Sequence, residues 1–149
     1  MIFETHAHYD DERFDEDREE TIARVRAGGV SPIINVGASI ESTRTTLALA
    51  DNHDFIYAAA GVHPSDINCL NEETFAWLTA QTANPKVVAV GEIGLDYYWD
   101  KEPDVQANQR YWFKRQLDLA REVSLPVIIH SREAAEDTMR VMRENHGDE

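Results

Sequence analysis

Five short apolar runs punctuate the chain: MIFET at its start, SPIINVG from Ser31, FIYAAAG from Phe55, KVVAVG from Lys86 and LPVIIH from Leu125. They have strand length, and most are rich in β-branched residues. Longer amphipathic stretches lie between them. The segment DREETIARVRAGG turns Ile22 and Val25 to one side, and Gly28 or Gly29 ends it. Ser39 is an N-cap for a second helix through Leu47 and Leu49. A third starts at Asn71 and carries Phe75 and Leu78. The longest runs from about Asp104 to Val123, with Val105, Trp112, Phe113, Leu117, Ala120 and Val123 at helical spacing. Pro126 opens the next strand, and a last helix follows Ser131 with Ala134, Thr138, Val141 and Met142 on one side.

Strands that alternate with helices predict parallel βαβ units. Near-continuous apolar strands predict a sheet covered by helices on one face and buried on the other. Five such units fill residues 1–149 with no linker or low-complexity segment, so a single α/β domain is expected.

Polar residues gather where these strands stop. The first ends in His6 and His8, the second near Asn35, the third at GVHP with His63, the fourth at GEIGLDYY with Glu92, and the fifth at His130 followed by Ser131 and Arg132. In parallel β/α folds the C-terminal strand ends share one face, where sites are built. Residues two apart in a strand face the same side, so His6 and His8 can reach one point, which a metal ion could occupy. A carboxylate at Glu92, directly after VVAVG, is costly unless it is paired or metal-bound. Three histidines and a glutamate form a mixed nitrogen and oxygen set suited to Zn, Mn, Fe, Co or Ni, and to Mg where carboxylate and water dominate. A glutamate can also bridge two ions about 3.5–4 Å apart, the spacing of two-metal hydrolysis.

The other candidates stay open at this level. His63, held extended by Pro64, serves either substrate contact or loop structure. Asp96 either orients a ligand or caps a loop. Arg132 either grips a phosphate with its fork or pairs with a nearby acid. His53 and His146 read as surface residues, and Cys69 as inert.

Composition narrows the function classes. There are 28 acidic residues against 14 basic ones, a net charge of −14. A protein that holds nucleic acid through phosphate contacts alone normally carries a basic face, so a passive nucleic-acid binder is disfavoured. A single cysteine allows no internal disulfide, and MIFETHAH shows no basic or long apolar leader, so a cytoplasmic location is expected.

Taken together, THAH, GVHP, GEIGLDYY, the spacing of Gln109, Phe113, Gln116, Leu117, Leu119 and Ala120, and LPVIIHSR resemble TatD-type metal-dependent deoxyribonucleases. The motifs follow the family order over nearly the whole chain. The resemblance implies a TIM-barrel-like (β/α) metal-dependent hydrolase that cleaves phosphodiester bonds in DNA with two divalent metal ions, from among Mg, Mn, Zn, Ni and Co. It implies that His6 and His8 are ligands of one ion, that Glu92 is the catalytic bridge, and that His130 is a ligand of the second. His63 corresponds to the family's GVHP histidine and is expected to touch substrate phosphate; Arg132, from its own chemistry, is the second substrate-binding candidate. Ala7 stands where a cysteine is common, and as the middle residue of the triplet it should point away.

The family pattern continues with an HCFSG-like histidine and a TDAP-like aspartate, which these 149 residues do not contain. A closed barrel needs eight strands. The expectation is therefore about five of eight β/α units, with impaired catalysis and with homo-oligomer formation through the exposed barrel edge. Two alternatives stand beside the nuclease: an amidohydrolase-type enzyme acting on a small ester, amide or phosphoester, and a non-catalytic metal-binding module.

Overall fold

The computed structural model describes residues 1–146, except the side chain of His146, which lies outside the described residues. Five strands and five helices alternate. They are β1 (Ile2–Ala7), α1 (Arg18–Ala27), β2 (Val30–Val36), α2 (Ile40–Asn52), β3 (Ile56–Ala60), α3 (Glu72–Gln81), β4 (Val87–Asp96), α4 (Pro103–Val123), β5 (Val127–Arg132) and α5 (Ala135–His146). Short 3-10 turns at Glu12–Phe14 and Pro64–Cys69 shape the loops after β1 and β3. All strand pairs are parallel, in the order β1-β2-β3-β4-β5. The result is half of a TIM barrel, with β1 and β5 as its edges. No helix among the described residues is long and apolar enough to cross a membrane.

Local chemistry sets the helix ends. The Ser39 hydroxyl accepts the Ser42 N–H at 3.0 Å. Asn71 and Thr74 cap α3 reciprocally, each side chain taking the other's backbone N–H at 2.9 Å. Gly28 caps α1, and Ser124, with φ 56°, ends α4.

Alternating strand residues feed different layers. Ile33 joins Ile22, Leu47, Ile56 and Leu78 in the larger core under the helices, while Ile34 packs on a small cluster of Val36, Ala59 and Ala89 on the opposite face. A further core of Val90, Ile93, Phe113, Leu117 and Val141 locks α4 and α5 onto β4.

Four expectations need correction. Val105 is exposed, as are Pro103 and Asp104 beside it in the first turn of α4. β4 runs on through Asp96, so Glu92 lies inside the strand, and its side chain points to the open face. Most residues of β1 and β5 are at least partly exposed, because each has a neighbour on one edge only. The His53 side chain is largely buried, edge-on to Phe55, with Nε2 at 3.4 Å from a Glu19 carboxylate oxygen.

Candidate functional site

His6 and His8, at the end of β1, turn to the same side and bring their Nε2 atoms to 3.1 Å of each other. Both face one oxygen of Glu92: Oε2 lies 3.3 Å from His6 Nε2 and 3.9 Å from His8 Nε2. The other oxygen, Oε1, lies 3.1 Å from Nδ1 of His130 on β5. Glu92 thus stands between His6 and His8 on the β1 edge and His130 on the β5 edge. Two groups of donor atoms lie within 4.8 Å of one another: His6, His8 and Glu92, and His63, Glu92 and His130. Ala7 is buried on the opposite side of β1.

The hydrogen bonds on the far sides of the rings define what the near sides offer. His8 Nδ1 lies 3.0 Å from the Val36 carbonyl and must donate to it, so in the neutral ring Nε2 presents a lone pair. His130 sits between two carboxylates, with Nε2 3.0 Å from Asp96 Oδ2 and Nδ1 3.1 Å from Glu92 Oε1; the tautomer that donates to Asp96 frees Nδ1 as a ligand nitrogen. Ring nitrogens and carboxylate oxygens thus converge on one point. That electron-rich arrangement suits a bound cation, and the donor types fit the divalent ions expected from the sequence.

His63 differs. Its Nδ1 already accepts the Ser65 N–H at 3.1 Å, so the neutral ring carries its proton on Nε2. It therefore offers a donor N–H, better suited to an anion than to a metal. Burial, then the neighbouring His130, pushes its pKa below the ordinary histidine value and keeps the ring neutral. The His63 and His130 rings meet edge-to-face at 4.1 Å.

The sequence left Asp96 between two roles, and the structure shows its contacts. It is buried, with Oδ2 on His130 and Oδ1 accepting the Tyr98 N–H at 3.0 Å. Burial pushes its carboxyl up, but bonds from His130 and from the Tyr98 and Trp99 backbone outweigh this and hold it below the usual value. Arg132 lies outside both donor groups. Among the described residues it is in no ion pair; its guanidinium stacks 4.0 Å over the Tyr98 ring.

Sequence reasoning picked out the spacing of two glutamines on α4 but missed that they hold strand ends. Gln116 Oε1 accepts the Val62 N–H at 2.8 Å and its Nε2 donates to the Val62 carbonyl at 3.1 Å, fixing the backbone next to His63. Gln109 does the same for Asp96, at 2.9 and 3.0 Å. Asn35, which the sequence did place at a strand end, is an anchor: it accepts the Tyr9 N–H at 2.6 Å and donates to Asp10 and Thr46. The glutamines' spacing on one face of α4, at positions that pattern as core, is the signal that could have found that role.

A parallel β/α half-barrel with histidines and a carboxylate converging at its C-terminal strand ends has the architecture of metal-dependent hydrolases of the TIM-barrel type. Within that class the chain belongs to the family described as TatD-related DNase, which matches residues 3–149. The metal-dependent hydrolase YabD of Bacillus subtilis is 45% identical over 145 residues, covering 97% of this chain and 56% of the relative. The 3′-5′ ssDNA/RNA exonuclease TatD of Cronobacter sakazakii is 42% identical over 122 residues, 82% of this chain and 46% of that protein. The crystal structure of the Escherichia coli TatD homologue YjjV superposes with a TM-score of 0.87 at 34% identity, over 97% of this chain and 56% of that one. The chain spans about half the length of the relatives it matches.

Proposed function

We propose that this chain supplies the metal-binding half of a phosphodiesterase acting on single-stranded nucleic acid, DNA first. His6, His8 and Glu92 would hold one divalent ion (Mg, Mn, Zn, Ni or Co), and Glu92 and His130 a second. The observation that supports this most is the convergence of the His6, His8 and His130 ring nitrogens on the two oxygens of Glu92. Such ions, when bound, acidify a water and neutralise charge on the phosphoryl group. The protein's own part is positional. Glu92 spans both ligand sets, Asp96 orients His130, and the His63 Nε2–H donates to a phosphate oxygen. Arg132, with N–H groups at the rim of its stacked guanidinium, offers a second phosphate contact.

Three protein donors for one ion and two for the other leave several coordination positions open, so the 149 residues alone should bind metal weakly and turn over slowly. The unpaired edges of β1 and β5 favour association of copies, against the repulsion of 14 net negative charges each. That same acidity favours a second reading, a small ester, amide or phosphoester in place of a polymer. A cytoplasmic location is part of the proposal.

The test pairs calorimetry with cleavage of an end-labelled single strand in Mn²⁺. Removing a mere partner of a ligand costs about 10–100-fold in metal affinity, so Glu92→Gln should weaken both ions at least about 100-fold. It should also abolish the metal-dependent release of nucleotides. Unchanged affinity, or cleavage indifferent to metal, defeats the proposal. Hydrolysis confined to small phosphoesters selects the second reading.

A further inference from the structure

We infer that Trp99, Tyr98 and Arg132 form a stacking platform for the terminal unpaired nucleobase of a single-stranded substrate. Scattered exposed apolar residues are ordinary, but these are not scattered. Tyr98 and Trp99 are 40% and 66% exposed, and their rings meet edge-to-face at 4.5 Å. The Arg132 guanidinium lies 4.0 Å over Tyr98 and 5.6 Å from the Trp99 centroid, so the three side chains form one wall. Lys101 backs it, 5.8 Å from the Tyr98 ring and bonded to the Tyr97 carbonyl at 2.7 Å.

This wall adjoins the candidate metal site. Asp96 accepts from Tyr98 with one carboxylate oxygen and from His130 with the other, so a single side chain connects the two. Arg132 stands two residues beyond His130, at the same strand end.

The charge balance points to the occupant. In a chain of net charge −14, phosphate contacts cannot supply general affinity for a polyanion. Stacking can, because every base presents a π-face and aromatic–base contact carries no charge penalty. The Arg132 N–H edges remain for one phosphate. A chain end fits better than a duplex, whose bases are already stacked.

The inference rests on the nuclease reading, and one set of measurements separates the two. The 149-residue chain, stripped of metal with EDTA, is titrated with a short thymidine strand, the same strand lacking its terminal base, and a blunt duplex. Tryptophan quenching and anisotropy are read. Trp112 is buried and Trp77 is partly buried beneath Arg44, so the quenching reports mainly on Trp99.

Trp99→Ala should weaken single-strand binding about tenfold, Trp99→Phe less than about threefold, with melting temperatures unchanged. The salt dependence should correspond to only about one or two phosphates. Equal binding by Trp99→Ala, by the strand without its terminal base or by the duplex overturns the inference, as does no binding by the parent. If the platform fails while Mn²⁺-dependent cleavage persists, the nuclease reading stands without it. Stacking that survives with no metal-dependent cleavage overturns the nuclease reading instead.

Discussion

Gln116 is a buried polar residue outside the candidate metal site. Only 1% of it is exposed, and its amide satisfies both backbone groups of Val62, which is fully buried. Gln116→Leu keeps nearly the same volume, so packing survives and the loss is polar. Two buried backbone groups then lack partners, at about 1–3 kcal/mol each. The leucine recovers about 1 kcal/mol, because no amide need be dehydrated and more apolar surface is buried. The net cost is about 1–5 kcal/mol, a large share of the roughly 5–15 kcal/mol that holds a domain together. At about 2–4 °C per kcal/mol for a chain of this size, the melting temperature should fall by about 2–20 °C. Circular dichroism melts check this, and native-state amide exchange at Val62 and His63 should speed up with it. A fall under about 2 °C, with exchange at those amides unchanged, would show that the loop before His63 is held by something else.

Asp96→Asn keeps the size of the side chain but removes the charge that orients His130. Calorimetry should show the ion held by His130 weakened about 10–100-fold, and the His6/His8 ion changed by less than about threefold. Gly94→Ala should fail more completely: Gly94 sits at φ 145°, and a Cβ there would overlap the His130 carbonyl oxygen. A loss above about 3 kcal/mol, or insoluble protein, is expected in expression and melting assays. Asp11 accepts from the Arg13 side chain at 2.8 Å, and that bond first, then the Arg13 backbone N–H, hold its pKa at about 2. The folded value lies below the ordinary 3.8, so the pair's contribution is present above about pH 4 and is lost as pH falls through about 2. A carboxyl NMR titration should find that midpoint, and Arg13→Ala should return it toward the ordinary value.

Short-range order was legible along the chain. Apolar runs of strand length, amphipathic stretches between them and the caps at Ser39, Asn71 and Gly28 act over a few residues, so β/α alternation follows from local sequence. The shared face of His6 and His8 is of the same kind, because a strand's period of two is set by its backbone dihedrals. Val105 shows where periodicity stops: it carries the right spacing but sits on an exposed first turn of α4.

Only tertiary structure decided the rest. Glu92 reaches His130 across 38 positions because β4 and β5 pair with Gly94 opposite His130, a register that close packing at a glycine enforces. Which nitrogen each histidine presents depends on remote partners, Val36 for His8 and Asp96 for His130. The roles of Gln109 and Gln116 and the stacking of Arg132 on Tyr98 likewise depend on contacts between separate elements. Local dihedral preference dictates which way neighbouring side chains face, but it carries no information about what waits across the sheet.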